Sequence, residues 1–140
     1  MTTRFLLDTN ICIYTIKQMP PAVIEQLRQH AADTLAVSSI TAAELYFGVA
    51  KSGSARNRLA LSQFLSGLQI MPFDQQAAEV YGDVRAHLER AGTPIGPLDT
   101  QIAAHALALG FTMVTNNTRE FERVPGLKVE NWAVPGDTRA

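Results

Sequence analysis

Asp8 ends the first apolar run of the chain, Arg4-Phe5-Leu6-Leu7-Asp8-Thr9-Asn10, at a point where a strand leaves a sheet and a loop begins. In open α/β sheets, ligands bind outside the carboxyl ends of strands. Glu44 and Asp99 fall in two further segments that read as helix starts near strand ends. Glu120 follows the apolar run that closes at Thr115. Carboxylates converging at one end of a sheet repel each other unless a cation joins them. The pattern therefore points to a divalent metal with mostly oxygen ligands, and such a metal suggests phosphate chemistry.

Each acid also has a plainer explanation. Asp8 is a good N-cap for the turn that follows it. Thr41 and Glu44 fit a capping box, in which the Glu folds back onto the Thr backbone. Asp99, two residues after Pro97, would stabilise a helix dipole by only about 0.3–1 kcal/mol. Glu120 lies in the polar cluster Thr115-Asn116-Asn117-Thr118-Arg119-Glu120, and such clusters after strands are ordinary turns. The four together carry more weight than any one, because each stands beside an otherwise apolar element of the same kind.

The elements that must position them alternate. Phe5–Leu7 reads as a strand, Ile11–Lys17 as a mixed apolar segment stopped by Met19-Pro20-Pro21, and residues 21–29 as a helix with Pro in its first turn. Residues 35–37 read as a second strand, 42–50 as a helix, 51–56 as a polar connection and 58–68 as a helix. A strand at 70–73 precedes Asp74, which caps a helix over 75–90. Residues 91–97 form a loop, and the most apolar helix, 97–109, ends at Gly110. Strands follow at 112–115 and, on an edge, at 129–132. Alternation of this kind predicts an α/β fold, a three-layer α/β/α sandwich on a mostly parallel sheet. Residues 1–134 make one domain, and 135–140 are expected to be a flexible tail.

Bulk composition agrees. A chain of 140 residues with 46% hydrophobic and 18% charged residues is an ordinary globular domain. Its longest apolar stretch, 102–114, is broken by His105 and Gly110 and is too short to span a membrane. Asp8 interrupts any signal-like core, so a cytoplasmic location is expected. Cys12 is alone, which rules out an internal disulfide and a thiolate-rich metal site. The net charge of −1 argues against a simple nucleic-acid binder. Setting the four acids aside leaves 12 basic against 9 acidic residues, with clusters at Lys51, Arg56 and Arg58 and at Arg119 and Arg123. Weakly basic patches around an acidic hole suit a nuclease that touches phosphates without storing RNA.

These residues resemble those of the PIN-domain ribonucleases, most closely the VapC toxins of type II toxin–antitoxin pairs. The likeness covers nearly the whole chain. It rests on Leu7-Asp8-Thr9-Asn10-Ile11, on Ser38-Ser39-Ile40-Thr41 with Glu44-Leu45, on Gly96-Pro97-Leu98-Asp99 with Ile102-Ala103, and on Thr115-Asn116-Asn117 with Glu120-Phe121. The resemblance implies that Asp8, Glu44 and Asp99 surround Mg²⁺ or Mn²⁺. Many relatives have Asp where this chain has Asn117, so the fourth acid is assigned to Glu120. On this reading Asp8 and Asp99 hold the metal and Glu44 binds it or orients the attacking water. Asn10, Thr115, Asn116 and Asn117 support them by hydrogen bonds. In-line attack by water would leave 5′-phosphate and 3′-hydroxyl ends.

The same resemblance implies a VapB-like antitoxin whose C-terminal segment covers the acids, a homodimer, and a structured RNA substrate, with initiator tRNA cut in its anticodon loop as the leading expectation. Leu45, Tyr46, Phe47 and Val49 place more apolar bulk on a short helix than one core face requires, although all four could be core. Three alternatives compete. A degenerate PIN-like module that only binds RNA or a partner should have lost acids that this chain keeps. A phosphatase with Asp8 as covalent nucleophile would want a second Asp at position 10, where Asn stands. Catalysis by His30, His87 or His105 is not required, and His105 lies about 240° around its helix from Asp99.

Overall fold

The computed structural model describes residues 2–134, so the expected tail at 135–140 lies outside the described residues. Five strands, β1 (Phe5–Leu7), β2 (Leu35–Ser38), β3 (Gln69–Met71), β4 (Thr112–Val114) and β5 (Val129–Glu130), pair in parallel in the order β3-β2-β1-β4-β5. The helices are α1 (Thr9–Lys17), α2 (Pro21–Arg28), α3 (Ser39–Ser52), α4 (Ala55–Ser66), α5 (Gln75–Arg90), α6 (Pro97–Leu109) and α7 (Thr118–Phe121).

Strand alternation builds two cores. Phe5, Leu7, Leu35, Val37 and Val114 face one layer, where they meet Ile11, Cys12, Val23, Leu45 and Leu61 of α1–α4. Leu6, Ala36 and Met113 face the other, against Val84 and Leu88 of α5 and Ile102, Ala103 and Ala106 of α6. Successive strand side chains point to opposite faces, so a short apolar strand can feed both cores at once. The three-layer sandwich is the fold expected from the alternation of elements.

Chain order reverses between β1 and β4, making the doubly wound switch point beside which such sheets bind ligands. Leu7 registers with Val114, which puts Asp8 and Thr115 side by side just beyond the sheet.

Several boundaries differ from the sequence reading. The strands expected at 70–73, 112–115 and 129–132 run over Gln69–Met71, Thr112–Val114 and Val129–Glu130. The segment expected from Ile11 is helical from Thr9, and the helix expected over 58–68 covers Ala55–Ser66. The helix expected over 42–50 starts at Ser39, because β2 runs to Ser38 and the Ser38 hydroxyl oxygen accepts from the Ile40 N–H at 3.0 Å. Thr41 is thus inside α3, and the Thr41–Glu44 capping box does not form. The polar connection expected over 51–56 shrinks to Gly53, which stops α3 at φ 65, and Ser54, which caps α4 by accepting from the Asn57 N–H. The turn expected after Thr115 contains α7, which Asn117 precedes without a side-chain capping bond. Among the described residues, no helix is long and apolar enough to cross a membrane.

Candidate active site

Asp8 is 4% exposed, and both carboxylate oxygens are engaged. One accepts from the Thr9 N–H at 2.7 Å as the α1 cap, and the other accepts from the Thr115 hydroxyl at 2.7 Å. The capping role and a site role therefore coexist. Thr115 Oγ1 also accepts from the Asn117 N–H at 2.9 Å, and the Asn117 amide donates to Glu120 Oε2 at 2.9 Å. A continuous hydrogen-bonded path thus joins Asp8 to Glu120.

Glu44 accepts from the Thr9 hydroxyl at 2.9 Å, with the Thr41 hydroxyl 3.3 Å from the same oxygen of Thr9. Thr9 has one hydroxyl proton. Directed to the carboxylate, it leaves Thr41 as the donor to Thr9. Thr9 and Thr41 were not among the expected site residues. Their chain neighbours Asp8 and Glu44 were the available signal, but the contact across 35 positions is not visible in spacing. Thr9→Val, which keeps shape and removes the hydroxyl, is expected to lower RNA cleavage about 10-fold, within the range for outer partners of site groups. Unchanged single-turnover cleavage would remove Thr9 from the site.

Asp99 stands in the first turn of α6, which Gly96 and Pro97 open. Its carboxyl is pushed up to about 6 by burial first, then by the negative charges of Asp8, Glu120 and Glu44 in that order. Asp8 is also raised, by burial that outweighs its bonds from Thr115 and Thr9, with a further push from Glu44. The four acids expected from sequence therefore share one electrostatic site. Like charges gathered this way favour protonation or a cation.

Support from the asparagines is uneven. Asn116 donates to the Tyr14 hydroxyl oxygen at 2.9 Å, while its own Oδ1 is buried without a partner among the described residues. Buried acceptors of this kind are where a water or ligand is expected. Tyr14 is a third residue the sequence reading did not single out. Asn10 is exposed and enters none of these hydrogen bonds. Cys12 is fully buried, its thiol raised well above the usual range by burial and by Asp8, so it is no nucleophile.

Every charged donor here is oxygen, which suits a hard divalent cation and not a soft one. Among the described residues, no group of three or more His, Cys, Asp or Glu side chains is placed to hold a metal ion as the side chains lie. That agrees with carboxylates tied back to Thr9, Thr115 and Asn117, and Mg²⁺ needs only one or two carboxylates beside its waters. The donor chemistry fits the ion.

The chain is similar to known proteins over most of its length. The PIN domain matches residues 5–127. The tRNA(fMet)-specific endonuclease VapC of Salmonella typhimurium is 45% identical over 130 residues, 92% of this chain and 98% of that protein. Ribonuclease VapC2 of Rickettsia felis is likewise 45% identical over 130 residues, covering 91% and 97%. Among solved structures, VapBC2 from Rickettsia felis bound to a DNA fragment from the promoter superposes with TM-score 0.85 at 41% identity, covering 93% of this chain and 99% of that one. DNA-bound VapBC from Salmonella typhimurium gives TM-score 0.85 at 44% identity, covering 94% and 99%. The chain belongs to the PIN-domain family and, within it, to the VapC ribonucleases.

Proposed function

We propose that this chain, with residues 1–134 as a single PIN domain, is the toxin of a type II pair: a Mg²⁺- or Mn²⁺-dependent endoribonuclease acting on a structured RNA, with initiator tRNA the leading substrate. The observation that carries the metal is the gathering of acids around Asp99, whose carboxyl reaches about 6 through burial and then through the charges of Asp8, Glu120 and Glu44. The substrate reading leans on the Salmonella relative, whose name specifies tRNA(fMet).

Asp8, Glu44 and Asp99 are the residues that would hold the ion, with Glu120 completing the set. When bound, the ion supplies Lewis acidity, offsetting phosphate charge and making water a better nucleophile. Glu44, oriented by Thr9, accepts the proton of the attacking water. Thr115 fixes Asp8 against the end of β4, and Asn117 fixes Glu120. Attack in line with the leaving 3′ oxygen breaks the P–O3′ bond, and that oxygen takes its proton from solvent, giving 5′-phosphate and 3′-hydroxyl products.

A partner surface adjoins the site. A groove of about 380 Å³ runs between α1, α3 and α4, walled by Ile13, Ile16, Leu45 and Val49, with Glu44 and Lys17 on its lining. We assign it to the C-terminal segment of a VapB-like antitoxin, in keeping with the VapBC complexes among the solved relatives. Leu45 is 6% exposed and belongs to the core, whereas Tyr46 and Phe47 are 49% and 67% exposed and suit contacts with the antitoxin or a second copy.

Antitoxin-free protein incubated with total bacterial RNA and Mg²⁺ should make a few discrete cuts, read by mapping new 5′-phosphate ends. EDTA should abolish them, and added Mn²⁺ should restore them. Cuts that persist undiminished in EDTA would overturn the metal dependence. No cuts by a folded protein that binds Mn²⁺ would favour a binding module.

A further inference from the structure

α6 carries Asp99 in its first turn, α3 carries Glu44, and the two helices pack together. Among the described residues, one side-chain hydrogen bond leaves α6 for another element: His105 Nδ1 lies 2.8 Å from Ser38 Oγ. Ser38 is the last residue of β2 and the cap of α3. The His105 side chain is 1% exposed, and Phe73 lies edge-on to its ring at 5.4 Å.

The ring also meets the backbone of Pro72. Proline has no N–H, so its carbonyl accepts from a ring N–H. Burial lowers the imidazole's affinity for a second proton, against the opposing charge of Asp74, and the neutral ring has one donor and one acceptor nitrogen. With the donor spent on Pro72, Nδ1 accepts the Ser38 hydroxyl proton. The next residue, Ser39, accepts from the Phe73 N–H at 3.0 Å. The start of α3 is therefore tied through Ser38 to α6 and through Ser39 to the β3–α5 connection.

We propose that His105 is a positioning residue of the acidic site, its hydrogen bond to Ser38 setting the separation between Glu44 on α3 and Asp99 on α6. This rests on the reading of those acids as an ion site. Mg²⁺ demands near-octahedral oxygen geometry at about 2.1 Å, so ligands drawn from two helices need a fixed spacing. Apolar helix packing alone tolerates sliding that a buried hydrogen bond forbids.

The test compares wild type with His105→Phe, which keeps a ring and drops both polar links, and His105→Asn, which returns an acceptor near the Nδ1 position. Three readouts apply: the Glu44–Asp99 carboxyl separation in metal-free crystal structures, Mn²⁺ affinity by calorimetry, and kcat and KM for RNA. His105→Phe is expected to change the separation by more than about 0.5 Å, the tolerance of a working site. It should weaken Mn²⁺ about 10-fold and lower kcat at constant KM, with Asn recovering most of each. A folded His105→Phe with wild-type separation and Mn²⁺ affinity would overturn the proposal, even if it melts at lower temperature. If His105→Phe does not fold, Ser38→Ala removes the same bond from its other end and is judged by the same criteria. Wild type that binds Mn²⁺ but cuts no RNA would sink the ribonuclease reading, leaving separation and affinity to decide this one.

Discussion

Asp99→Asn is expected to reduce RNA cleavage at least about 10³-fold, some 4 kcal/mol of barrier, while making the metal-free protein more stable. Both effects have one cause. The Asp99 carboxyl stands at about 6 against an ordinary 3.8, because burial and three neighbouring acids disfavour its charge. The folded state therefore binds more protons than the unfolded state between about pH 4 and 6. Ionisation of Asp99 costs stability, fully above the folded value, and the cost disappears as pH falls below the unfolded value. Two units would convert to about 3 kcal/mol for a buried group, and solvent screening of this half-buried one reduces that to about 1 kcal/mol. In EDTA at pH 7.5 the Asn variant should melt a few degrees higher than wild type. Much of that advantage should vanish near pH 4.5. An ion that binds only the folded state reverses the order, because saturating Mg²⁺ stabilises wild type and the variant lacks the charge that holds it. Calorimetric melts with and without Mg²⁺ at the two pH values would check this. A variant less stable than wild type in EDTA at pH 7.5 would mean the four acids do not repel as described.

What the sequence revealed and concealed follows from the range of the interactions. α6 was legible to the residue because Pro97 opens it and Gly110, at φ 72, closes it, both strong local signals. Asp74 announced α5 in the same way. The start of α3 was not legible, since Ser38 and Thr41 are both acceptable caps by type. The choice falls to the sheet, which extends β2 to Ser38 through pairing of that residue with Met71. α7 was missed because four residues carry no period, and the polar cluster before it reads as a turn. For the site, acids at strand ends and helix starts were visible because position in the fold follows from element order. The hydroxyls that aim them were not. Thr9 to Glu44 spans 35 positions and Thr115 to Asp8 spans 107, and nothing local distinguishes these threonines from surface ones. Glu44 shows the distinction most clearly: its residue type and approximate place were readable, whereas its partner is Thr9 and not the Thr41 backbone.

Trp132→Ala is expected to cost about 3–5 kcal/mol of folding stability, lowering the melting temperature by roughly 10 °C or more. Trp132 is fully buried, stacked on His30 at 4.7 Å and 12° and tilted against Phe5 at 5.2 Å. Its indole N–H donates to Glu130 Oε1 at 3.0 Å, so it binds both the β1 face and the end of β5. β5 is only two residues long, and two parallel residues cannot hold a sheet edge by backbone bonds alone. The indole therefore supplies the anchor that the short strand lacks. This anchor reaches the site, because the Glu130 carbonyl accepts from the Thr115 N–H at 3.0 Å, and Thr115 in turn fixes Asp8. Trp132→Phe keeps the aromatic contacts and removes the indole donor, so its cost should fall to about 1–2 kcal/mol. Urea unfolding gives the two costs, and single-turnover cleavage well below the melting point gives activity per folded molecule. The expected result is a loss in both for Ala and mainly in stability for Phe. A Trp132→Ala protein within 1 kcal/mol of wild type, on the same scale as the Phe cost, would show that β5 holds its place without the indole. One that is destabilised but fully active when folded would show that Thr115 keeps Asp8 in position whatever happens at the sheet edge.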